Sequence, residues 1–112
     1  MPYALVLHGG AGARPGTDYT KQQAHMGALI VQGQAMLSAG RAALDVVAEI
    51  VTELEACGLY VAGKGSAPNG KGAFELDASI MAGNGRRAGA VAAIEGILSP
   101  IQAAKAVLEG LS

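Results

Sequence analysis

The first residues that could carry chemistry are His8-Gly9-Gly10-Ala11-Gly12, which follow a short apolar run. Glycines let backbone amides approach a reacting group, because no side chain blocks the way. His8 could act as a general base, but a histidine beside glycines is more often a hydrogen-bonded core residue, and we expect that structural role. The loop matches no phosphate-binding glycine pattern, and the chain lacks the G-x-S-x-G elbow of an α/β-hydrolase.

A second candidate runs from Leu54 to Gly65, where the end of a predicted helix enters a glycine-bearing loop. The last carbonyl oxygens of a helix have no partner within it, so a curled loop can present several of them to a hard cation. A plain helix cap is the commoner outcome, and the residues alone leave both open. Cys57 could be a nucleophile, but without an assignable histidine partner we expect a small buried thiol.

A third candidate is Glu75-Leu76-Asp77-Ala78-Ser79-Ile80-Met81. Strand alternation places two sets of side chains on opposite faces: Glu75, Asp77 and Ser79 on one, and Leu76, Ala78 and Ile80 on the other. The two carboxylates could do acid-base work, or they could fix neighbouring loops by accepting backbone amide bonds, which is the commoner fate.

Three further charged or titratable positions carry less weight. His25 has no acidic or nucleophilic neighbour in sequence, and we expect it to be solvated. Arg86 and Arg87 flank a predicted turn and are expected to be a solvated pair, with anchoring of an acidic partner as the weaker alternative.

The elements that must position these residues follow in the order strand, helix, helix, strand, strand, helix. Their expected ranges are Tyr3–Leu7, Thr20–Ala39, Ala42–Ala56, Phe74–Met81, Ala88–Ile94 and a helix that begins at Pro100, capped by Ser99, and ends near Leu111. The Gly83-Asn84-Gly85 turn should join the two later strands as an antiparallel pair. We therefore predict an α/β (α+β) unit over residues 1–112 without an internal boundary, whose apolar strand faces need a further layer from elsewhere.

Composition narrows the possible partners and compartment. A net charge of −1 and a pI near 6.0 provide no basic field for nucleic acid. The single cysteine excludes an internal disulfide, no zinc spacing is present, and a reducing, cytoplasmic compartment is the simple expectation. The opening residues lack a basic region and a long apolar run, so we predict neither a signal peptide nor a membrane span.

Taken in order, these motifs resemble the plant-type (type III) L-asparaginase and isoaspartyl peptidase family of N-terminal nucleophile hydrolases. The matching segments are H-G-G-A-G at 8–12, G-R-A-A-L-D-V-V at 40–47, L-E-x-C at 54–57, A-G-K-G-S at 62–66, E-L-D-A-S-I-M at 75–81 and A-G-A-V-A at 88–92. The resemblance identifies this chain with the family's N-terminal, α-subunit portion.

The resemblance implies a four-layer αββα sandwich, made as one precursor that cleaves itself into α and β subunits. Catalysis then belongs to the N-terminal threonine of the β subunit, which uses its own α-amine as base. Thr17, Thr20 and Thr52 do not stand in the matching motif, so this chain is expected to be inactive alone. The implied assembly is (αβ)2, acting on L-asparagine or isoaspartyl dipeptides without an organic cofactor.

The resemblance also assigns supporting roles to residues of this chain. The loop of His8, Gly9, Gly10 and Gly12 is similar to the segment that lies beside the nucleophile and influences self-cleavage. A structural sodium ion is implied, held by main-chain oxygens at the positions Leu54, Glu55, Cys57, Tyr60, Ala62 and Lys64.

Two departures and two alternatives accompany the resemblance. Val61 stands where the family usually has Asn, and Ala82 stands where it usually has Asp, which puts activity level and substrate preference in question. A catalytically silent binding or assembly module on the same scaffold is the alternative from a different class. A glycosylasparaginase-like branch fits the L-E-x-C and E-L-D-A-S-I-M segments less well.

Overall fold

The protein is described by a computed structural model over residues 2–110. Helix α1 covers Thr20–Ser38, α2 covers Ala43–Ala56 and α3 covers Pro100–Leu108, while strands β1 and β2 cover Leu76–Ala82 and Arg87–Ile94. Short 3-10 turns lie at Gly63–Gly65 and Asn84–Arg86. The α+β class and five of the six predicted elements are therefore confirmed.

The predicted strand at Tyr3–Leu7 is wrong. Residues 2–10 form no strand, and the described part of the chain offers only one sheet, made of β1 and β2. Leu7 instead packs against the buried cluster of Leu29, Val46 and Ile50. The apolar run predicted a buried strand, but a strand also needs a hydrogen-bonded neighbour, and within residues 2–110 none lies beside this segment.

The antiparallel pair of β1 and β2 has the register Ala82↔Arg87 and Ile80↔Gly89, with an irregularity between Leu76 and Ala78. The connecting turn was predicted correctly. Its left-handed backbone positions are Gly85 at φ 77° and Arg86 at φ 50°, rather than Asn84.

Helix α3 covers one face of this sheet. Ser99 accepts a hydrogen bond from the Gln102 amide and Pro100 occupies the first turn, as predicted for a capped helix start. Beneath α3, Gly89 is buried, and a Cβ atom placed there would lie 2.5 Å from the Leu108 amide nitrogen. Glycine thus allows the helix backbone to approach the sheet closely.

The buried side chains form two clusters. The first lies between α3, the sheet and α2, and consists of Ala48, Ile80, Ile101, Ala104 and Leu108. The second, between α1, α2 and the N-terminal segment, consists of Leu29, Val46 and Ile50. Helix α2 contributes to both clusters because its apolar residues cover more than one side, and it therefore joins the two halves of the fold.

The opposite face of the sheet is uncovered. Met81 is 64% exposed, and Ala88, Ala90 and Ala92 are exposed beside it. The molecule is correspondingly flat, with extents of 43 × 36 × 19 Å and a radius of gyration of 15.0 Å, against about 13 Å for a compact domain of roughly 100 residues. Within residues 2–110, no helix is long and apolar enough to cross a membrane.

Candidate functional site

A cleft of about 660 Å³ lies between two of the candidate segments, the glycine loop at residues 8–12 and the stretch from Leu54 to Gly65. One wall comes from the glycine loop of Gly9, Gly10 and Gly12, and another from the start of α1. The third comes from residues 59–61, which belong to the loop after α2 (residues 57–65). A Cβ atom placed on Gly9 would lie 3.4 Å from a ring carbon of Tyr60, so the glycine loop and the loop after α2 are in direct contact. The lining is mostly apolar, apart from Tyr19, Gln22, Gln23 and the Tyr60 hydroxyl.

His8 lies at the edge of this arrangement. Its Nδ1 accepts a hydrogen bond from the Gly10 amide at 2.9 Å, which holds the glycine loop in a tight turn. The expected hydrogen bond is therefore present, but the expected burial is wrong, because the ring is exposed. The ring faces outward because the N-terminal segment turns Leu5 and Leu7, and not His8, toward the helices.

His25 was predicted to be solvated, and this prediction is also wrong. Its Nδ1 lies 3.1 Å from the Tyr60 hydroxyl, which donates its proton to the carbonyl oxygen of Gln22 at 3.2 Å. Because Tyr60 has one hydroxyl proton, both contacts are hydrogen bonds in the tautomer whose His25 Nδ1–H donates to the Tyr60 oxygen. Burial raises the pKa of the Tyr60 phenol above its ordinary value of 10.0, and the nearby Cys57 thiol adds to the rise.

The hydrogen bonds of Tyr60 with His25 and Gln22 connect the loop after α2 to α1. Gln22 and His25 lie three residues apart, so they share one face of α1. That spacing was visible in the sequence, whereas the position of Tyr60 opposite them was not.

The loop after α2 folds back on the helix end. Gly58 has φ 75° and Gly63 has φ 50°, both in the region that favours glycine. A Cβ atom placed on Gly63 would lie 2.6 Å from the Glu55 carbonyl oxygen and 2.9 Å from its Cα atom. A Cβ atom on Gly65 would collide with the carbonyl oxygen of Tyr60. The loop thus curls tightly, with carbonyl oxygens on its inner side.

The chemistry of these oxygens suits a hard cation, because neutral carbonyl oxygens are typical ligands of such ions. Three of the predicted ligand oxygens also accept internal hydrogen bonds: Cys57 Sγ donates to Leu54 at 3.5 Å, the Ala62 amide to Tyr60 at 2.8 Å, and the Gly65 amide to Ala62 at 3.0 Å. A carbonyl oxygen has two lone pairs, so these contacts leave capacity for a cation. The predicted set as a whole comprises Leu54, Glu55, Cys57, Tyr60, Ala62 and Lys64.

The side chain of Glu55 forms a contact that the sequence did not predict. The residue is only 3% exposed, and its carboxylate accepts hydrogen bonds from the Ser99 hydroxyl at 2.6 Å and the Ile101 amide at 3.0 Å. These donors belong to the first turn of α3, where unpaired amides and the helix dipole favour a negative charge. One turn earlier on α2, Thr52 accepts a bond from the Gln102 side chain at 2.9 Å.

Both carboxylates accept local hydrogen bonds, but only Asp77 accepts one from a backbone amide, which the commoner interpretation predicted for both. Asp77 accepts a hydrogen bond from the Ala93 amide at 2.7 Å, beside the positive φ of 52° at Ala93. Glu75 accepts one from the side chain of Asn69, whose own oxygen accepts from the Lys71 and Ala73 amides. Asp77 thus stabilises the irregular backbone of β2 at Ala93, and Glu75 stabilises the loop around Asn69.

The remaining predicted positions are placed as follows. Arg86 and Arg87 are exposed, as expected of a solvated pair, and the half-buried Cys57 makes the thiol contact described above. Val61, the first departure from the family pattern, is 80% exposed and lines the cleft, while Ala82 packs against the sheet-side core cluster.

Comparison with known proteins gives consistent matches over nearly the whole chain. A sequence profile of the family described as Asparaginase matches residues 1–112. The chain is similar to the isoaspartyl peptidases of Salmonella typhimurium (44% identity over 110 residues, 94% of this chain) and Escherichia coli (42% over 110 residues, 94% of this chain). It is also similar to the human isoaspartyl peptidase/L-asparaginase, at 40% identity over 107 residues and 94% of this chain. The chain spans about a third of these relatives, covering 35%, 34% and 34% of their lengths.

Proposed function

Because this chain belongs to the asparaginase family, we propose that it is the N-terminal part of an amidohydrolase acting on L-asparagine and β-aspartyl (isoaspartyl) peptides. The observation that supports this proposal best is the meeting of two family-like loops on one cleft. The glycine loop at Gly9–Gly12 and the loop around Tyr60 come from sites about fifty residues apart in sequence and line the same space.

The catalytic group is proposed to be the N-terminal threonine of a β subunit outside this chain, freed by self-cleavage of a precursor. Its hydroxyl would attack the amide carbonyl while its own α-amine takes the proton. That proton would pass to the leaving nitrogen as the C–N bond breaks, which releases ammonia or the peptide's amine and leaves an aspartyl ester on the threonine. Water would then hydrolyse this ester and release aspartate. Within this chain, the Thr52 hydroxyl donates a hydrogen bond to the Ala48 carbonyl oxygen in α2. The Thr20 hydroxyl donates one to the Asp18 carboxylate at the start of α1. These bonds support assigning the nucleophile to another chain.

A β subunit and an (αβ)2 assembly are proposed as the partners. The exposed sheet face around Met81 and the N-terminal segment without a neighbouring strand both offer surface for a further layer. The 19 Å thickness of the molecule agrees with half of a layered sandwich.

A sodium ion is proposed for the loop after α2, bound by the main-chain oxygens named above. When bound, the ion would neutralise the inward carbonyl dipoles and hold the curl in one conformation. The residues of this chain then keep Tyr60 against Gly9 and so maintain the wall of the cleft. No organic cofactor is proposed, and a cytoplasmic location is part of the same proposal.

The test is hydrolysis by the reconstituted assembly. The chain is co-expressed with a β chain beginning at threonine, and release of aspartate is measured from L-asparagine and from a β-aspartyl dipeptide. Activity should require both chains and should vanish when the β-chain threonine is changed to alanine. An assembly with a verified free N-terminal threonine that hydrolyses neither substrate would overturn the proposal.

A catalytically silent assembly module is the second candidate, and Val61 is the observation that favours it. An apolar side chain on the cleft wall replaces the amide that the family pattern places there. The variant Val61→Asn, compared with Val61→Thr as a control, separates the two. If the native assembly hydrolyses neither substrate, while Val61→Asn gains hydrolysis and Val61→Thr does not, the silent-module interpretation is supported.

A further inference from the structure

Glu55 is in contact with two separate parts of the molecule through two separate groups. Its main chain is covered by the loop after α2, because a Cβ atom on Gly63 would lie 2.6 Å from the Glu55 oxygen and 2.7 Å from its Cβ. Its carboxylate reaches the start of α3, where Ser99 and Ile101 donate to its two oxygens at 2.6 and 3.0 Å. The residue is 3% exposed, so both contacts are shielded from water.

The contact with α3 holds the carboxylate in one place. A buried carboxylate is costly unless hydrogen-bonded donors compensate it, and here a hydroxyl and a backbone amide at a helix N-terminus do so. The bonds join residues 44 and 46 positions apart in sequence. Thr52 and Gln102 add a third bond, of 2.9 Å, between the same two parts of the fold. The end of α2 is therefore fixed relative to α3 just where the loop begins.

We propose that Glu55 is a positioning residue that couples cation binding in the loop after α2 to the seating of the N-terminus of α3. The proposal rests on the proposed sodium site, in which the Glu55 main-chain oxygen takes part. Binding of the cation fixes the main chain of Glu55, and the carboxylate then stays in the geometry that caps α3. Thermodynamic linkage makes the effect reciprocal, so the bonds from Ser99 and Ile101 strengthen cation binding by the same factor.

The test measures sodium affinity and the protection of α3 separately, with the chain in its native assembly. Melting temperature is followed against sodium chloride, with choline chloride keeping ionic strength constant, and a fit of the stabilisation to RT ln(1 + [Na+]/Kd) gives the apparent sodium Kd. The variant is Glu55→Gln, which keeps size but removes the charge. The matched control is Glu53→Gln, an exposed glutamate on the same helix. Amide exchange at Ile101 and Gln102 is recorded with and without sodium.

The expected result is a sodium Kd about tenfold weaker in Glu55→Gln, within the range of typical coupling factors, and unchanged in Glu53→Gln. Sodium should also slow exchange at Ile101 and Gln102 in the native protein. A Kd within twofold of native in Glu55→Gln, or exchange at Ile101 that ignores sodium, would overturn the coupling while leaving the cation site standing.

The remaining outcomes are also decisive. If Glu55→Gln does not fold, Ser99→Ala takes its place in the test, because it removes one donor to the carboxylate and keeps the carboxylate itself. The exchange measurement on the native protein needs no variant. A native protein without any sodium response removes the cation site and the coupling together. Hydrolysis of L-asparagine by the same preparations tests the enzyme proposal independently, so its failure can be told apart from failure of the coupling.

Discussion

The tight packing of the loop after α2 against the helix end can be tested with two glycine substitutions. Gly58 and Gly63 both have positive φ, at 75° and 50°, so alanine at either position carries the same kind of backbone strain. They differ in their surroundings. A Cβ atom on Gly58 meets only the flexible side chain of Lys64 at 3.6 Å or more, whereas one on Gly63 meets Glu55 main-chain atoms at 2.6 and 2.9 Å.

The expected losses in the free energy of unfolding have two contributions, backbone strain and overpacking. Left-handed backbone costs a non-glycine residue about 1–2 kcal/mol, and overpacking against a backbone that cannot yield adds about 1–3 kcal/mol. We therefore expect Gly58→Ala to lower the free energy of unfolding by about 1–2 kcal/mol and Gly63→Ala by about 2–5 kcal/mol. The latter is a large fraction of the roughly 5–15 kcal/mol that stabilises a typical domain.

Urea denaturation of the native protein and the two variants measures the difference. With an m-value of about 1.5 kcal/mol/M, the midpoint of Gly63→Ala should lie about 0.7–2 M below that of Gly58→Ala. Equal midpoints for the two variants would refute the reasoning, because the close approach of the loop to Glu55 would then carry no energetic weight.

Two further predictions concern helix packing and pH. Gly89→Ala should lower the free energy of unfolding by about 1–3 kcal/mol, because the added Cβ atom would collide with the Leu108 backbone. Gly27→Ala should raise it by about 0.5–1 kcal/mol, because the added Cβ atom has no atom within 4 Å and alanine is favoured over glycine inside a helix. Urea midpoints measure both changes. Because burial raises the Tyr60 pKa, its contribution is complete below the unfolded pKa near 10 and is lost as pH rises through the folded value. Stability should fall less steeply above pH 10 in Tyr60→Phe, measured by melting temperature against pH, and equal slopes would contradict this.

Much of the local structure could be predicted from the sequence because it depends on neighbouring residues. Ser99 and Pro100 predict the start of α3, since a cap and a fixed φ act within one turn. Alternation along β1 correctly separated Asp77 and Ser79 from the buried Ile80. The same local logic failed at Tyr3–Leu7, where a strand depends on a partner that local sequence cannot supply.

The candidate site could be predicted only in part. The glycine loop and the loop after α2 were each recognisable by their own residues, because glycine is needed where backbones turn sharply or meet. His25 was predicted to be solvated because its partner, Tyr60, lies 35 residues away. Which residues approach one another over such separations depends on how helices pack, and no local pattern records it.

The sequence by itself determined the family of this protein, the two glycine-bearing loops and the bounds of the three helices and two strands, within a few residues. Only the tertiary structure decided that these loops share a cleft, that His25 holds Tyr60, and that the buried Glu55 caps a helix beginning 45 residues later. The reason is physical: propensities and caps act through adjacent residues, whereas a buried charge is stable only where packing brings distant donors within hydrogen-bond distance.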